Sequence, residues 1–296
     1  MMTFTAMRLS SAAKRLIIGL AVVALSACSL VRVSYDNGPA LAVWWLDGYL
    51  DLDDAQEAAA RSLLRDWFAW HRGTQLPEYA RWLATWRERA GGEVTGEEVC
   101  RWTAQAREAL WAATERALPA GAQLLPTLKP AQIDHLVAEM ADKLADERRE
   151  RAQPAAEARR AAALERAVDR AEQLYGTLTD AQQRLLAEGL ARSPMDAARW
   201  LDDREQRQRR FVDELRRART LTDDAARLAA LRVAARALSQ PADAETAALQ
   251  ARWQAHGCEM SARLHATTTP AQRQHLRERL SAWEEDVRAL AGGGAS

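Results

Sequence analysis

The chain has 296 residues, 48% of them hydrophobic, and its 41 basic side chains balance 41 acidic ones. This composition is typical of a chain that folds around a sizeable core, and it excludes a disordered, collagen-like, mucin-like or polytopic membrane protein. Zero net charge also argues against a nucleic-acid-binding protein that depends on a large positive field.

The chain begins with the pattern of a secretion signal. Arg8, Lys14 and Arg15 precede an uninterrupted apolar run over residues 16–25. Ten helical residues rise only about 15 Å, half the hydrocarbon thickness of a bilayer, so this run is too short to span a membrane. Positive charges, an apolar stretch and small residues in this order predict a cleaved signal peptide over residues 1–27.

The end of this signal, Leu25, Ser26, Ala27 and Cys28, resembles the lipobox of bacterial lipoproteins. The resemblance implies that the Cys28 thiol receives a diacylglyceryl group and anchors the mature chain to a membrane through lipid. Ser29 stands where an aspartate would retain such a protein at the inner membrane, which implies the outer membrane, facing the periplasm. The alternative is an ordinary signal peptide in which Cys28 is incidental.

Apolar residues recur at spacings of three and four along nearly the whole mature chain, as in Tyr79, Trp82, Leu83 and Trp86. This periodicity predicts an all-α protein of about eight helices packed as an irregular bundle. The predicted breaks fall at Asn37–Pro39, Gly73–Pro77, Gly91–Gly96, Pro119–Pro130, Gly176–Thr179, Ser193–Pro194, Ser239–Pro241 and Thr267–Pro270.

Three segments follow the signal peptide in this interpretation. Residues 28–39 form a lipidated cysteine with a short tether, residues 40–290 a helical domain, and residues 291–296 a flexible tail. The charged stretch near residues 145–160 is either a hinge or the middle of one long helix.

Two cysteines, Cys100 and Cys258, remain once Cys28 is acylated. In an oxidising compartment an even remainder favours a disulfide, and this one would close a loop of 158 residues. The alternative is a pair of buried free thiols.

Eleven tryptophans lie in the mature chain, seven of them between Trp44 and Trp102. Most fit the core, but the adjacent Trp44 and Trp45 cannot both point from one helix into the same core. We therefore expect one of these two indoles to contact the bilayer or a partner.

A short pattern marks four predicted helix starts. An N-cap position is followed three residues later by Gln56, Gln132, Gln182 or Gln272, as in a capping box. Lys129 departs from the rule because its side chain is not a cap acceptor. The pattern resembles the repeated motif of the Spy and CpxP family of periplasmic chaperones and stress proteins, although the same residues also suit any well-capped helix.

A broader resemblance covers most of the mature chain. Its motifs are the lipobox, residues 44–49 (WWLDGY), residues 52–56, residues 70–72 (WHR) and residues 171–176 (AEQLYG). They are similar to a family of lipoproteins of unknown function from double-membraned bacteria. That resemblance implies a location but no activity, cofactor or catalytic residue.

Arginines crowd the stretch from Arg192 to Arg227. Acids are interleaved at four-residue offsets: Asp203 with Arg207, Glu205 with Arg209, and Asp213 with Arg217. The pattern is typical of a solvated helix with internal ion pairs. The alternative is a contact for anionic lipid head groups or an acidic partner, for which Arg207 and Arg210 are the candidates.

Catalytic signals are weak throughout. The five histidines lack a familiar metal-ligand spacing, and His256 falls on an apolar stripe, which favours a satisfied core histidine. Adjacent carboxylates such as Asp53 and Asp54 suit helix starts. We therefore expect no catalytic residue, metal or cofactor.

Together these patterns predict a non-enzymatic lipoprotein that binds a protein or another envelope component, with no nucleic-acid partner. A Spy-like chaperone is the alternative, and an envelope hydrolase without a recognisable motif is a third hypothesis.

Overall fold

A computed structural model describes residues 30–293. The predicted signal peptide, the lipobox with Cys28, and residues 294–296 lie outside the described residues. The described chain is helical from end to end and contains no strand, which confirms the predicted all-α class.

The α-helices are numbered here in chain order. They are α1 (Leu30–Asp36), α2 (Gly38–Leu50), α3 (Asp54–Trp70), α4 (Leu76–Arg89), α5 (Gly96–Leu124), α6 (Pro130–Arg151), α7 (Ala156–Tyr175), α8 (Asp180–Ala191), α9 (Ala197–Thr220), α10 (Asp224–Ser239), α11 (Ala244–Ala266) and α12 (Pro270–Gly292). A π-helical segment, His71–Gln75, joins α3 to α4, and a 3-10 turn, Leu125–Thr127, follows α5.

The described residues thus divide into more helices than the eight expected. Two breaks outside the predicted list of breaks have local causes, and the first of them precedes the helix start predicted from Gln56. Asp51 adopts a left-handed backbone, with φ of 47°, and closes α2, while Asp53 caps α3. Leu221 adopts an extended backbone after α9, and Asp223 caps α10.

The predicted break at Gly73–Pro77 is not a break, and the one predicted at Pro119–Pro130 begins later than expected. Gly73 lies in the π-helical segment, which carries the chain from α3 into α4 without leaving a helix. Pro119 lies inside α5, which continues to Leu124. In both places the flanking helix overrides a local helix-breaking residue.

The charged stretch after Asp142 is not one long helix, because α6 ends at Arg151 and α7 begins at Ala156. The expected tether is also partly helical. Its helix α1 is held to the body by an ion pair of 2.7 Å between Arg32 and Asp286 of α12, and by a 2.8 Å hydrogen bond between the Tyr35 hydroxyl and His71.

Two regions of the bundle have separate cores. The first joins α2, α5, α6, α9 and α10 around buried Leu125, Ile133, Leu215 and Leu231. The second joins α7, α8 and α11 around Leu186 and Leu264, and a neighbouring cluster includes Leu276 and Leu280 of α12. Cys100 of α5 and Cys258 of α11 lie at disulfide distance, with their Cα atoms 5.4 Å apart.

The four motif glutamines meet in two buried pairs. Gln56 and Gln132 exchange hydrogen bonds of 3.1 and 2.7 Å, and Gln182 and Gln272 exchange bonds of 2.8 and 2.9 Å. Each glutamine also accepts from the backbone N–H three residues earlier, as its capping box requires. The motif therefore does more than cap helices, because it joins helix starts that are distant in sequence.

The Gln56–Gln132 pair explains why Lys129 stands at an N-cap position although its side chain is not a cap acceptor. Its ammonium lies 3.2 Å from Asp53, the N-cap of α3 on the opposite side of the pair. The hydrogen bond from the Gln56 backbone N–H and the Lys129 ammonium both lower the pKa of Asp53.

Candidate functional site

An apolar cavity of about 920 Å³ lies between α2, α3, α5, α6, α9 and α10. Ligand-binding sites in proteins typically measure about 300–1,000 Å³, so this volume is at the upper end of that range. Leucine side chains from all six helices line the cavity, among them Leu46, Leu63, Leu118, Leu136, Leu215 and Leu231.

The residues of α6 that line the cavity change from apolar to charged along the helix. Leu136, Met140 and Lys143 line it in succession, at spacings of four and three residues that place them on one helix face. Leu136 is buried in the first core, whereas the side chain of Lys143 is 45% exposed. The inner face of α6 therefore runs from buried leucine to partly exposed cation.

Helix α9 shows the same change in the opposite chain direction. Arg204, Arg207 and Gln208 line the cavity first, followed by Phe211 and then the buried Leu215. An ion pair between Arg204 and Glu147, near the end of α6, brings the start of α9 beside the end of α6. Both helices therefore place their cations at the same end of the cavity.

Aromatic rings surround this cationic end. The Lys143 Nζ lies 4.2 Å from the centre of the Tyr49 ring, and the Arg204 guanidinium lies 5.7 Å from that of Trp200. Both rings line the cavity, as does Trp45, which is 57% exposed. The exposure of Trp45 and Lys143 shows that this end opens to solvent.

Each lining cation is paired with a carboxylate. Lys143 contacts Glu139 at 2.7 Å, Arg204 contacts Glu147 at 2.6 Å, and Arg207 contacts Asp203 at 2.8 Å. None of these acids lines the cavity, and the described lining contains no other Asp or Glu. The hydrogen bond to Glu139 raises the pKa of Lys143, so its ammonium stays charged at neutral pH.

The predicted binding residues lie in and around this site. Trp45 and Arg207 line the cavity, whereas Trp44 does not and is 73% exposed. Arg207 donates to the Leu238 carbonyl at 2.7 Å and Arg210 to the Gln240 carbonyl at 3.1 Å. Both guanidinium groups thus satisfy carbonyls at and beyond the end of α10, as expected for free C-terminal carbonyls.

The expected ion pairs along α9 form in two of three cases. Arg207 pairs with Asp203 and Arg209 with Glu205, but Arg217 pairs with Glu214 rather than with Asp213. The whole helix is not the solvated surface that was favoured, because its Leu201, Val212 and Leu215 are buried and its Arg204 side faces the cavity.

None of the five histidines lines the cavity, although the ring of His71 stacks on the lining Trp67. His256 bonds the Gly189 carbonyl at 2.9 Å, and His265 lies between the Tyr175 hydroxyl at 3.1 Å and the Gly92 carbonyl at 2.9 Å. Within the part of the chain that the structure covers, no group of His, Cys, Asp and Glu is suited to hold a metal ion.

A second surface lies at the amino end of the body. Val33 and Leu41 are 48% and 50% exposed, and Trp44 lies on the same helix as Leu41.

Across residues 30–293, no helix is both long enough and apolar enough to cross a membrane.

The sequence patterns did not single out most of the cavity lining, including Met140, Lys143, Trp200 and Arg204. A signal was present for two of them, since Lys143 occupies the next inward position of the stripe formed by Leu136 and Met140. The convergence of Lys143 with Arg204 had no local signal, because it depends on how α6 packs against α9.

The cavity and its helices define an all-helical protein with an apolar, ligand-sized site that is lined by buried leucines at one end and by cations at the other. The chain belongs to a family of unknown function, DUF6279, whose model matches residues 48–240. The matched segment contains α3, α5, α6, α9 and α10, five of the six cavity helices. No curated protein and no solved structure matches the chain.

Proposed function

We propose that this protein is a lipid-anchored, non-enzymatic binding protein that faces the periplasm from the outer membrane. In this proposal the cavity between α2, α3, α5, α6, α9 and α10 holds the apolar part of an envelope component. The acylated Cys28 keeps the cavity close to the membrane, where such components are found.

The cavity is the observation that carries the proposal. Protein interiors are packed to the density of organic crystals, and an empty apolar space destabilises the fold in proportion to its size. A lining of leucines and aromatic rings around about 920 Å³ is therefore best explained by a ligand that fills it.

The cysteines and the start of the described chain support the location. A Cys100–Cys258 pair at bonding distance suits an exported protein, because disulfides persist in oxidising compartments. Helix α1 begins at Leu30 and contacts α12. An acyl group on Cys28 would thus hold the body itself near the leaflet.

Binding of a neutral fluorescent probe, N-phenyl-1-naphthylamine, tests the use of the cavity. The chain from residue 28 onward, with Cys28→Ser, keeps every described helix and avoids detergent. We expect saturable fluorescence enhancement with one probe per chain, because a buried apolar site excludes water from the dye.

Two alanines on α10 provide a matched pair of variants. Ala235 lines the cavity, whereas Ala229 is exposed and does not. We expect Ala235→Phe to weaken probe binding at least about tenfold, the equivalent of ~1.4 kcal/mol, and Ala229→Phe to leave it unchanged. Equal binding by both variants, or no binding by the parent chain, would contradict the proposal.

A Spy-like chaperone is the second candidate, favoured by the exposed apolar residues Val33, Leu41 and Trp44. The motif glutamines themselves are buried and are not available to an unfolded client. Suppression of client aggregation at stoichiometric amounts tests this candidate. The chaperone function requires that suppression is lost in Leu41→Ser/Trp44→Ser and retained in Ala235→Phe.

A further inference from the structure

The polarity of the cavity narrows the class of ligand. Its inner end is formed by buried leucines, including Leu125, Leu136 and Leu215, and its outer end carries Lys143, Arg204 and Arg207. We infer that the ligand is an amphiphile whose acyl chain lies along the leucines and whose anionic head group contacts Lys143 and Arg204. This inference rests on the proposed function of the cavity.

The length of the cavity suits an acyl chain. Eleven residues separate Arg204 from Leu215 along α9, which corresponds to about 16 Å at the helical rise of 1.5 Å per residue. Arg204, Arg207 and Gln208 line the outer part of this distance, and Phe211 and Leu215 line its inner part. An acyl chain can thus be buried while its head group stays at the open end.

The signs of the lining charges select the head group. All three charged residues of the described lining are cations, and their carboxylate partners lie outside the lining. Arg204 directs both of its hydrogen bonds to Glu147 from one nitrogen, Nη1. A guanidinium has five N–H donors, so donors remain for a carboxylate or phosphate.

The aromatic rings favour the same arrangement. Tyr49 and Trp200 contact the cations on the cavity side, and aromatic rings with a polar edge are favoured where apolar and wet surroundings meet. A cationic head group would lie beside Lys143 and Arg204 and would be repelled.

Displacement of the neutral probe from the Cys28→Ser chain tests the head group. Palmitate, hexadecanol and hexadecyltrimethylammonium share a chain length and differ in charge, and each is used below its micelle concentration. We expect palmitate to displace the probe at concentrations at least about tenfold lower than the other two, as one charge-assisted contact would give. Equal displacement by all three would overturn the inference.

Displacement of the probe by lysophosphatidylglycerol, a second anionic amphiphile, distinguishes the source of the ligand. Preference for either anionic amphiphile over hexadecanol supports the inference. The tighter of the two shows whether the head group is a free carboxylate or a lipid phosphate.

Paired variants test the two cations. Lys143→Gln and Arg204→Gln remove lining cations, while Lys129→Gln and Arg209→Gln remove exposed, ion-paired cations that do not line the cavity. We expect the first two to weaken palmitate binding about tenfold each, with hexadecanol binding unchanged, and the controls to bind as the parent. If Arg204→Gln fails to fold, the palmitate affinity of Lys143→Gln alone tests the inference.

The outcomes separate this inference from the proposed function. Probe binding that is blocked by Ala235→Phe but shows no preference for anionic amphiphiles would leave the proposed function intact and overturn the inference. Loss of all probe binding in the parent chain would overturn both.

Discussion

The side-chain amides of Gln56 and Gln132 each form two kinds of hydrogen bond. The carbonyl oxygen accepts the capping bond of its own helix, at 3.0 and 2.8 Å, while the NH₂ group donates to the opposite glutamine and to backbone carbonyls across the pair. Because these amides are buried, removal of one leaves polar groups without partners on both helices.

A double-mutant cycle tests this coupling. We expect Gln56→Ala and Gln132→Ala each to lower the free energy of unfolding by about 2–3 kcal/mol, the cost of buried groups left unpaired. The double variant should lose much less than the sum, because both changes remove one shared network. Urea unfolding provides the measurement.

Controls for the cycle come from the rest of the chain. Gln56→Ala combined with Gln272→Ala should be additive, since the two glutamines share no partner. Exposed Gln123 should tolerate alanine within about 0.5 kcal/mol. Additive losses for Gln56 and Gln132 would contradict the buried pairing.

Two histidines link stability to pH. Burial lowers the pKa of His71 and of His265 below the ordinary value of 6.5. The Gly92 carbonyl accepts from His265 Nε2, so the neutral ring can accept from the Tyr175 hydroxyl at Nδ1. The unfolded chain therefore binds more protons than the folded one below pH 6.5.

Stability should accordingly fall as pH falls below about 6.5, because protons bind preferentially to the unfolded state. We expect the free energy of unfolding to be lower at pH 5.5 than at pH 7.5, and the difference to shrink in His71→Gln/His265→Gln. The exposed His135 supplies the control His135→Gln. A pH dependence unchanged in the double variant would rule out these two rings as its source.

At the scale of elements, helix α2 is positioned by one close approach. A Cβ on Gly38 would lie 2.4 Å from Cε1 of Phe68 in α3, so only glycine lets the start of α2 pack there. Gly48 on the same helix has open space at its Cβ position. The two glycines therefore have opposite roles.

Alanine at these two positions should change stability in opposite directions. Gly38→Ala should destabilise by about 1–3 kcal/mol, the range for overpacking, whereas Gly48→Ala should stabilise by about 0.5–1 kcal/mol by reducing backbone entropy. Thermal unfolding of both variants checks this. Equal effects would show that Phe68 does not confine the start of α2.

At the scale of the whole molecule, the proposed anchor would determine which end of the bundle meets the membrane. Helix α1 begins two residues after Cys28, and exposed Val33, Leu41 and Trp44 lie on α1 and α2. An acylated Cys28 would therefore bring these residues to the leaflet.

Replacement of Cys28 tests the anchor. We expect Cys28→Ala to release the protein from the membrane fraction and to abolish fatty-acid labelling, because the Cys28 thiol is the proposed site of acylation. Cys100→Ala provides a control that removes a cysteine but keeps the anchor. Unchanged membrane fractionation of Cys28→Ala, or a parent protein without fatty acid, would refute lipid anchoring.

Local patterns were sufficient for much of the fold. The spacing of apolar residues predicted helices, and Asp53, Thr179 and Thr269 were recognised as caps, because capping depends on residues three positions apart. The break at Leu221 was missed because leucine is not a typical helix-breaking residue. Gly73 and Pro119 were overvalued because flanking helices and packing outweigh local propensity.

The sequence by itself determined the helical class and the four helix starts marked by the glutamine motif. Only the tertiary structure decided that the motif glutamines meet in two pairs, that Arg207 and Arg210 bond carbonyls at the end of α10, and that Lys143 converges with Arg204 beside an apolar cavity. The physical reason is the distance along the chain between the residues that interact. Helix formation and capping depend on neighbours within one turn, whereas a cavity depends on how helices distant along the chain pack together.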